Sequence, residues 1–444
     1  MQTGGPTNLP RGGQLSFDVL DAPASGKPAA DLFDDAPAAQ RVVSVLIPLA
    51  VEGPYSYRAP RGMKIEPGSI VQVPLGTRSY IAAVWDDAPD LADPGRLKDI
   101  EEVLDTPPLG ADTRRFVDWV ADYTLTPRGM VLRMVLRSPG ALAPEPTQSA
   151  VRLAGPLPER LTPARLRVLE VLSDHKPWAR SALTAAANVS TGVVAGLIEA
   201  GTLEVTEIPV PPVAGVPDPD HPHDPLTPEQ AAAAKTILEG FGRFSATVLD
   251  GVTGSGKTET YFEAVAEALR REKQVLILLP EIALTADFLD RFARRFGTRP
   301  APWHSELPPR IRERVWRGVA AGEIRAVAGA RSALFLPYPE LGLIVVDEEH
   351  DGAYKQDEGV TYHARDMAVV RANLGSFPVV LASATPSIET RVNADLGRYR
   401  RVELPGRFRE ASLPEIGLID LKTDPPERGR WLAPRLVAAI ETTL

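Results

Sequence analysis

Cysteine is absent from all 444 residues. That excludes disulfides, thiol nucleophiles and thiolate zinc sites from this sequence. Long apolar runs are missing too: nothing reaches the roughly eighteen residues that a membrane-spanning helix requires. The N-terminal stretch carries no charged segment followed by an apolar core, so it does not read as a secretory signal. A cytoplasmic protein with no membrane partner is the expectation. Positive charge is in short supply, with 49 Lys and Arg against 58 Asp and Glu, for a formal net charge of -9. Diffuse attraction to nucleic acid is therefore excluded, and any such role must rest on local basic patches. The remaining composition, 44% hydrophobic and 24% charged, is that of a globular protein. The length suits roughly two to four domains.

Residues 1–40 are rich in Gly, Pro, Ala and Asp and lack periodicity, which predicts a disordered tail. From residue 41 to 143 short apolar runs such as "RVVSVLIPLA", "GSIVQVPLG" and "SYIAAVWD" alternate with turn signals and predict a small β-rich unit. Within it "DTRRFVDWVADYTL" spaces Phe116, Val117, Val120 and Tyr123 as the core-facing side of a helix. Residues 160–208 read as three helices followed by a strand, the winged-helix pattern, which serves DNA binding in many proteins and protein binding in others. Residues 209–225 form a Pro-rich linker. Over 226–404, short β-branched runs ("SATVLD", "QVLILLP", "IRAVAG", "LGLIVVD", "FPVVLAS") alternate with helical segments. That alternation predicts a parallel sheet covered by helices, and hence a multidomain α/β protein.

The chemistry sits in this last region. Gly251-x-x-x-x-Gly256-Lys257-Thr258, following a strand and opening a helix, is a P-loop. Its backbone N–H groups, from Gly254, Ser255 and Gly256 among others, would form an anion nest at a helix N-terminus. Lys257 is expected to hold the β- and γ-phosphates of ATP, and the Thr258 hydroxyl to ligate Mg²⁺. The strand "LGLIVVD" places Asp347 at the same sheet edge as the second Mg²⁺ anchor. Glu348 follows as the residue that orients and deprotonates a water, which implies hydrolysis rather than binding alone. Ser383 and Thr385 in "LASATPSIE" can bridge the γ-phosphate region to a neighbouring element. Gln230 in "LTPEQ" has two readings: it hydrogen-bonds adenine, or it completes a helix-capping box with Thr227.

Taken together, "GVTGSGKTETY", "LLPEIALT", "WHSEL", "GARSALFLPY", "DEEHDGAYKQDEG", "YHARDMAVVRA" and "SATPSIET" resemble the PriA (primosomal protein N-prime) family of superfamily 2 replication-restart helicases. "YSYRAPRGMKIEPGSIVQVPLG" with "DWVADYTLTPRG" resembles that family's N-terminal domain, which binds the 3' end of a nascent strand. The resemblance runs from about residue 41 to 444 and implies a 3'-end DNA-binding domain, a winged helix and one RecA-like P-loop lobe. It implies ATP and Mg²⁺ as cofactors, 3'–5' unwinding, and recognition of forked and single-stranded DNA. Single-stranded-DNA-binding protein and primosome or helicase-loading proteins are the implied partners. By the same resemblance Tyr55, Tyr57, Gly76 and Lys98 line the DNA-end pocket. Tyr362, His363 and Arg365 belong to a DNA-contacting loop, and His350, with Ser383 and Thr385, couples the two activities.

The sequence departs from the family in three places. Tyr55-Ser56-Tyr57 replaces Phe-Asp-Tyr, removing a carboxylate that accepts the terminal 3'-hydroxyl. Val360-Thr361-Tyr362 replaces Trp-Arg-Tyr in the loop. Residues 405–444 read as the lead-in to a second motor lobe whose arginine finger and two four-cysteine zinc sites are not in this sequence. No zinc is expected here, and these 444 residues alone are expected to bind forks with little or no unwinding. A non-catalytic fork-binding scaffold is the alternative.

Overall fold

The computed structural model describes residues 41–444 except 92–94, 96, 143–146, 281–282, 284, 405, 407–416 and 444. The expected disordered tail at 1–40 lies outside the described residues, as do parts of "LLPEIALT" and of the lead-in segment.

The N-terminal unit is a six-stranded sheet of β1 (Val42–Leu46), β2 (Tyr55–Arg58), β3 (Ile70–Leu75), β4 (Arg78–Val84), β5 (Lys98–Asp99) and β6 (Glu102–Val103), in the order β5-β2-β1-β4-β3-β6. Side chains alternate across a strand, and here both faces are used. Val43, Val45, Tyr57, Val71, Val73, Ala82 and Val84 make one core. Leu46, Ile70 and Ala83 point the other way, toward helices α1 (Ala111–Thr124) and α2 (Arg128–Val135). Phe116, Val117 and Val120 of α1 are buried as their spacing predicts, but Tyr123 is 49% exposed. The buried face of α1 ends at Ala121, so the Tyr123 ring instead stacks on Trp119, 4.9 Å between centroids.

A three-stranded antiparallel sheet follows, ordered β8-β7-β9, from β7 (Thr147–Leu153), β8 (Trp178–Ala179) and β9 (Leu203–Pro209). Helices α3 (Pro163–Val171), α4 (Arg180–Ala186) and α5 (Thr191–Glu199) cover it, and Val151, Val168, Leu183, Val194, Leu197 and Leu203 form its own core. Strand β7 lies upstream of residue 160, where the sequence pattern suggested that the module begins. The linker is tied down at its end, where Asp218 N–H donates to Phe296 O (2.9 Å) and Asp220 pairs with Arg270 (2.8 Å).

The last region starts with α6 (Pro228–Leu238), β10 (Ser245–Gly251), α7 (Lys257–Arg270), β11 (Gln274–Leu278) and α8 (Ala286–Phe296). It continues through β12 (Ala301–Trp303), α9 (Pro309–Ala320), β13 (Ala326–Gly329) and β14 (Leu341–Asp347). A small hairpin, β15 (Lys355–Gln356) with β16 (Tyr362–His363), precedes α10 (Ala364–Gly375), β17 (Pro378–Ser383), α11 (Ile388–Asp395) and β18 (Arg400–Leu404). A separate helix, α12 (Pro434–Thr443), comes last. Seven strands make one parallel sheet, ordered β12-β13-β11-β14-β17-β10-β18. Strands covered on both faces read as continuous apolar runs rather than alternating ones, and "QVLIL" is buried at every position. This is the expected RecA-like lobe. One hydrophobic cluster runs from its sheet and α10 through Phe335 to Phe116 and Val120, so α1 and α2 share the lobe's core. Among the described residues no single helix is long and apolar enough to cross a membrane.

Candidate functional site

Strands β14, β17 and β10 are neighbours, and Asp250 stands opposite Ser383 while Asp347 stands opposite Ala382. Their C-terminal ends therefore bring Gly251, Asp347 and Ser383 to one sheet edge, where open α/β sheets bind ligands. From β10 the chain turns through residues 252–256 into α7. Gly254 and Gly256 both have left-handed backbones (φ 80° and 84°), the conformation that builds an anion nest. A side chain at Gly256 would place its Cβ 2.0 Å from Gln230 Nε2, so packing as well as φ selects glycine. The Ser255 hydroxyl is buried with no hydrogen-bond partner. An orphaned donor in a Gly-rich loop at a helix N-terminus fits a phosphate. Lys257 donates from Nζ to Gly251 O (2.8 Å), which folds its ammonium back over the loop.

Asp347 accepts from Tyr261 Oη at Oδ2 (2.9 Å) and from Glu348 N at Oδ1 (3.0 Å). Burial raises its carboxyl above the usual range, against the lowering effect of the Tyr261 bond. The Thr258 hydroxyl has a lowering influence on the same phenol, so the two expected Mg²⁺ anchors both act on Tyr261. Oxygen ligands of this kind suit Mg²⁺. Tyr261 itself is fully buried, and burial followed by the charge of Asp347 pushes its phenol well above the ordinary value. Glu348 has φ 47°, a left-handed backbone that is rare for a residue with a side chain. His350 Nδ1 lies 2.8 Å from Ser383 Oγ, which also accepts from Thr385 N (3.0 Å). The three expected coupling residues thus form one chain between β14 and β17.

Gln230 is buried, and both ends of its amide are hydrogen-bonded within the protein. Its Oε1 accepts from Thr227 N (3.0 Å), closing the capping box, and Nε2 donates to Ser255 O (3.1 Å). The second bond, from α6 to the P-loop backbone, is not readable from local sequence. Of the expected loop residues, Tyr362 is buried edge-on against Phe335, 5.3 Å between centroids. His363 is half-buried, and burial followed by the nearby positive charge of Arg365 lowers its imidazole. Arg365 is buried and bonds Glu349 (3.2 Å), Ser387 Oγ (2.6 Å) and Asp366 (2.8 Å). Glu349 carried no signal in sequence beyond its neighbours, because its partners lie up to 41 residues away.

Far from these groups in sequence, an open cleft of about 390 Å³ lies on the N-terminal sheet. Tyr55, Ser56, Tyr57, Gly76, Asp90 and Lys98 line it. Gly76 (φ 62°) makes the two-residue turn between β3 and β4, and its carbonyl accepts from Lys98 Nζ (3.2 Å). The Tyr57 hydroxyl donates to Pro74 O (3.1 Å); burial, then the neighbouring Tyr55, pushes its phenol up to about 12. The Tyr55 ring is 43% exposed at the cleft. Ser56 Oγ accepts from Asp90 N (2.7 Å), which pins the wall that carries Asp90 to strand β2. The four expected pocket residues therefore share one cleft, and Asp90 joins them without a motif to announce it.

Residues 44–137 match the family described as the 3'DNA-binding domain, and residues 227–393 match the DEAD/DEAH box helicase family. The replication restart protein PriA of Rickettsia felis is 32% identical over 405 residues, covering 91% of this chain and 52% of that protein. The Bacillus subtilis protein of the same name is 42% identical over 202 residues, 45% of this chain and 25% of that one. The Haemophilus influenzae counterpart is 32% identical over 421 residues, 90% of this chain and 57% of its own. The chain spans about half the length of the relatives that it matches over most of its residues. Over that span, the chain belongs with these proteins in the PriA replication-restart family.

Proposed function

We propose that this protein binds DNA forks and promotes reloading of the replicative helicase by ATP-dependent 3'–5' DNA helicase chemistry, of which these 444 residues alone carry the fork-binding and ATP-binding part, with little or no unwinding. One observation carries the reading: a DNA-end cleft and a P-loop site occur in one structural unit whose helices share a hydrophobic core. In the cleft, the exposed Tyr55 ring offers a stacking surface for a terminal base and Lys98 a cation for its phosphate. At the sheet edge, Lys257 would hold the β- and γ-phosphates of ATP, and Thr258 with Asp347 would hold Mg²⁺. Bound there, Mg²⁺ neutralises charge that develops on the phosphates. Glu348 orients and deprotonates the attacking water. His350, Ser383 and Thr385 carry the state of that site from β14 to β17, and Tyr362, His363 and Arg365 anchor the hairpin beside it. The module of three helices and β7–β9 acts as a winged helix on the duplex arm. Single-stranded-DNA-binding protein and primosome loaders are the proposed protein partners. The test is ATP turnover by the protein with and without a forked duplex bearing a 3'-hydroxyl end. Stimulation by the fork that is lost on blocking the end supports the reading. Nucleotide binding that no DNA alters would count against it.

A further inference from the structure

Between the carboxylates that the proposed chemistry uses and His350 stands Glu349, which that chemistry does not use. It is 0% exposed. Its Oε1 accepts from Ser387 N (2.7 Å), and its Oε2 accepts from Thr390 Oγ1 (2.9 Å) and Arg365 (3.2 Å). The Ser387 hydroxyl lies 3.1 Å from the same Oε2. The Glu349 backbone N–H donates to Ala382 O on β17 (3.1 Å). Three separate elements thus hold one residue: the end of β17, the N-terminal turn of α11 and the first turn of α10.

The residue so held follows Glu348, whose left-handed backbone (φ 47°) is unfavourable for a side chain. Such a conformation persists only where its surroundings over-determine it. Before Glu348, Asp347 is fixed by Tyr261 and accepts the Glu348 N–H itself. After it, Glu349 is fixed by α10 and α11. Released from that anchor, the Glu348 backbone would relax toward right-handed or extended φ and its carboxylate would swing away.

We infer that Glu349 is a positioning residue: its buried carboxylate, clamped by Ser387, Thr390 and Arg365, holds Glu348 in the strained turn from which it acts. This rests on the proposed hydrolysis only for its consequence, since the strain and the clamp belong to the fold. It also gives Arg365 a definite task. As the counter-ion of Glu349, it ties this clamp to the foot of the β15–β16 hairpin.

The experiment uses the whole chain and four readouts: affinity for a fluorescent ATP analogue with Mg²⁺, single-turnover hydrolysis, thermal midpoint, and amide exchange over residues 347–351. Glu349→Gln keeps the side-chain shape but removes the charge. It should leave nucleotide affinity within about twofold, slow hydrolysis by roughly tenfold or more, and speed exchange at 347–351. Because a buried charge without its partner is itself destabilising, the double variant Glu349→Gln with Arg365→Gln removes both charges. It should regain most of the thermal midpoint while hydrolysis stays slow and exchange stays fast. Glu349→Asp should restore part of the rate. Hydrolysis and exchange that follow the thermal midpoint in every variant would make the network structural glue and overturn the inference. If the wild-type chain binds the analogue but hydrolyses nothing, the proposed activity fails, and exchange alone then decides: unchanged exchange in Glu349→Gln overturns the inference.

Discussion

The guanidinium of Arg371, on helix α10 of the P-loop lobe, lies 5.3 Å from the ring centroid of Phe116, on helix α1 of the N-terminal unit. The Tyr338 ring centroid lies 5.2 Å from the same guanidinium. The same group donates to the carbonyls of Leu334 and Leu336 and to the Thr113 hydroxyl. Burial lowers its pKa from the ordinary arginine value, but a guanidinium stays charged in proteins, and these acceptors and rings are what surround that charge.

Arg371→Met should therefore fill the space and still strand the buried Leu334 carbonyl, whereas Leu336 O keeps the Tyr338 N–H (3.0 Å). An unsatisfied buried acceptor costs about 1–3 kcal/mol, so a loss of about that size is expected in urea unfolding. Because the residue joins two units, the unfolding transition should also broaden or split. A single transition of unchanged midpoint and slope would show that the units do not depend on this contact.

Asp118 supplies a pH dependence whose sign can be worked out. Burial, only partly offset by Arg128 and the Trp85 indole N–H (3.0 Å), pushes its carboxyl up to about 6. A raised folded-state value means that the folded protein favours the neutral acid. The unfavourable contribution is then fully present above about pH 6 and fades as pH falls toward the unfolded value near 4. Asp118→Asn keeps an acceptor for Trp85, and Arg128 keeps Asp87 at 3.0 Å. The variant should match or exceed wild-type thermal stability at pH 7.5 and lose that advantage near pH 4. A variant less stable at pH 7.5 by several degrees would show that the Arg128 pair outweighs burial.

Much of this was legible in sequence because it is local. The P-loop, the strand that ends in Asp347 and the parallel lobe each announce themselves within about ten residues, where turn chemistry and strand patterning act. What was not legible is set by long-range pairing. Glu349 with Thr390, Gln230 with Ser255, and Tyr261 with Asp347 are 41, 25 and 86 residues apart. Edge strands β12 and β18 are short and take their strand form from pairing to β13 and β10, not from a pattern of their own. Tyr123 shows the opposite failure: a correct helical spacing that outruns the surface it was meant to cover.

The cleft proposed to take the DNA end gives a prediction opposite to the one that sequence alone suggests. With Ser56 as the only acceptor, little discrimination between a 3'-hydroxyl and a 3'-phosphate would be expected. Asp90 brings a carboxylate to the same cleft, and a terminal phosphate would meet like charge there. Oligonucleotides ending in a 3'-hydroxyl should bind more tightly than 3'-phosphorylated ones, and Asp90→Asn should narrow the gap. Ser56→Ala, which removes the acceptor of the Asp90 N–H, should weaken both by roughly threefold to tenfold. Fluorescence anisotropy at fixed salt reads all three, since phosphate contacts make affinity salt-dependent. Equal affinities for the two ends in the wild type would remove Asp90 from the recognition scheme.

The remaining prediction concerns Lys257. Its ammonium bonds Gly251 O at 2.8 Å, and that carbonyl closes strand β10. Swinging Nζ to a phosphate exchanges a neutral acceptor for a charged one, adding ion-pair attraction to a bond that the ammonium already charge-assists. The exchange is favourable only when ATP is there to receive it. Lys257→Ala removes a bond from the loop and should lower the thermal midpoint by the worth of one hydrogen bond with a charged donor, about 1.5–3 kcal/mol. The second effect is on linkage. A ligand that binds only the folded state at a hundred times its dissociation constant stabilises by about 2.7 kcal/mol. Wild-type protein should therefore shift upward in saturating ATP·Mg²⁺, while Lys257→Ala should not shift. Glu348→Gln, which leaves the phosphate contacts intact, should retain the full shift. If Lys257→Ala were stabilised by ATP·Mg²⁺ as much as wild type, nucleotide would have to bind away from the P-loop, and the assignment of this sheet edge would fall.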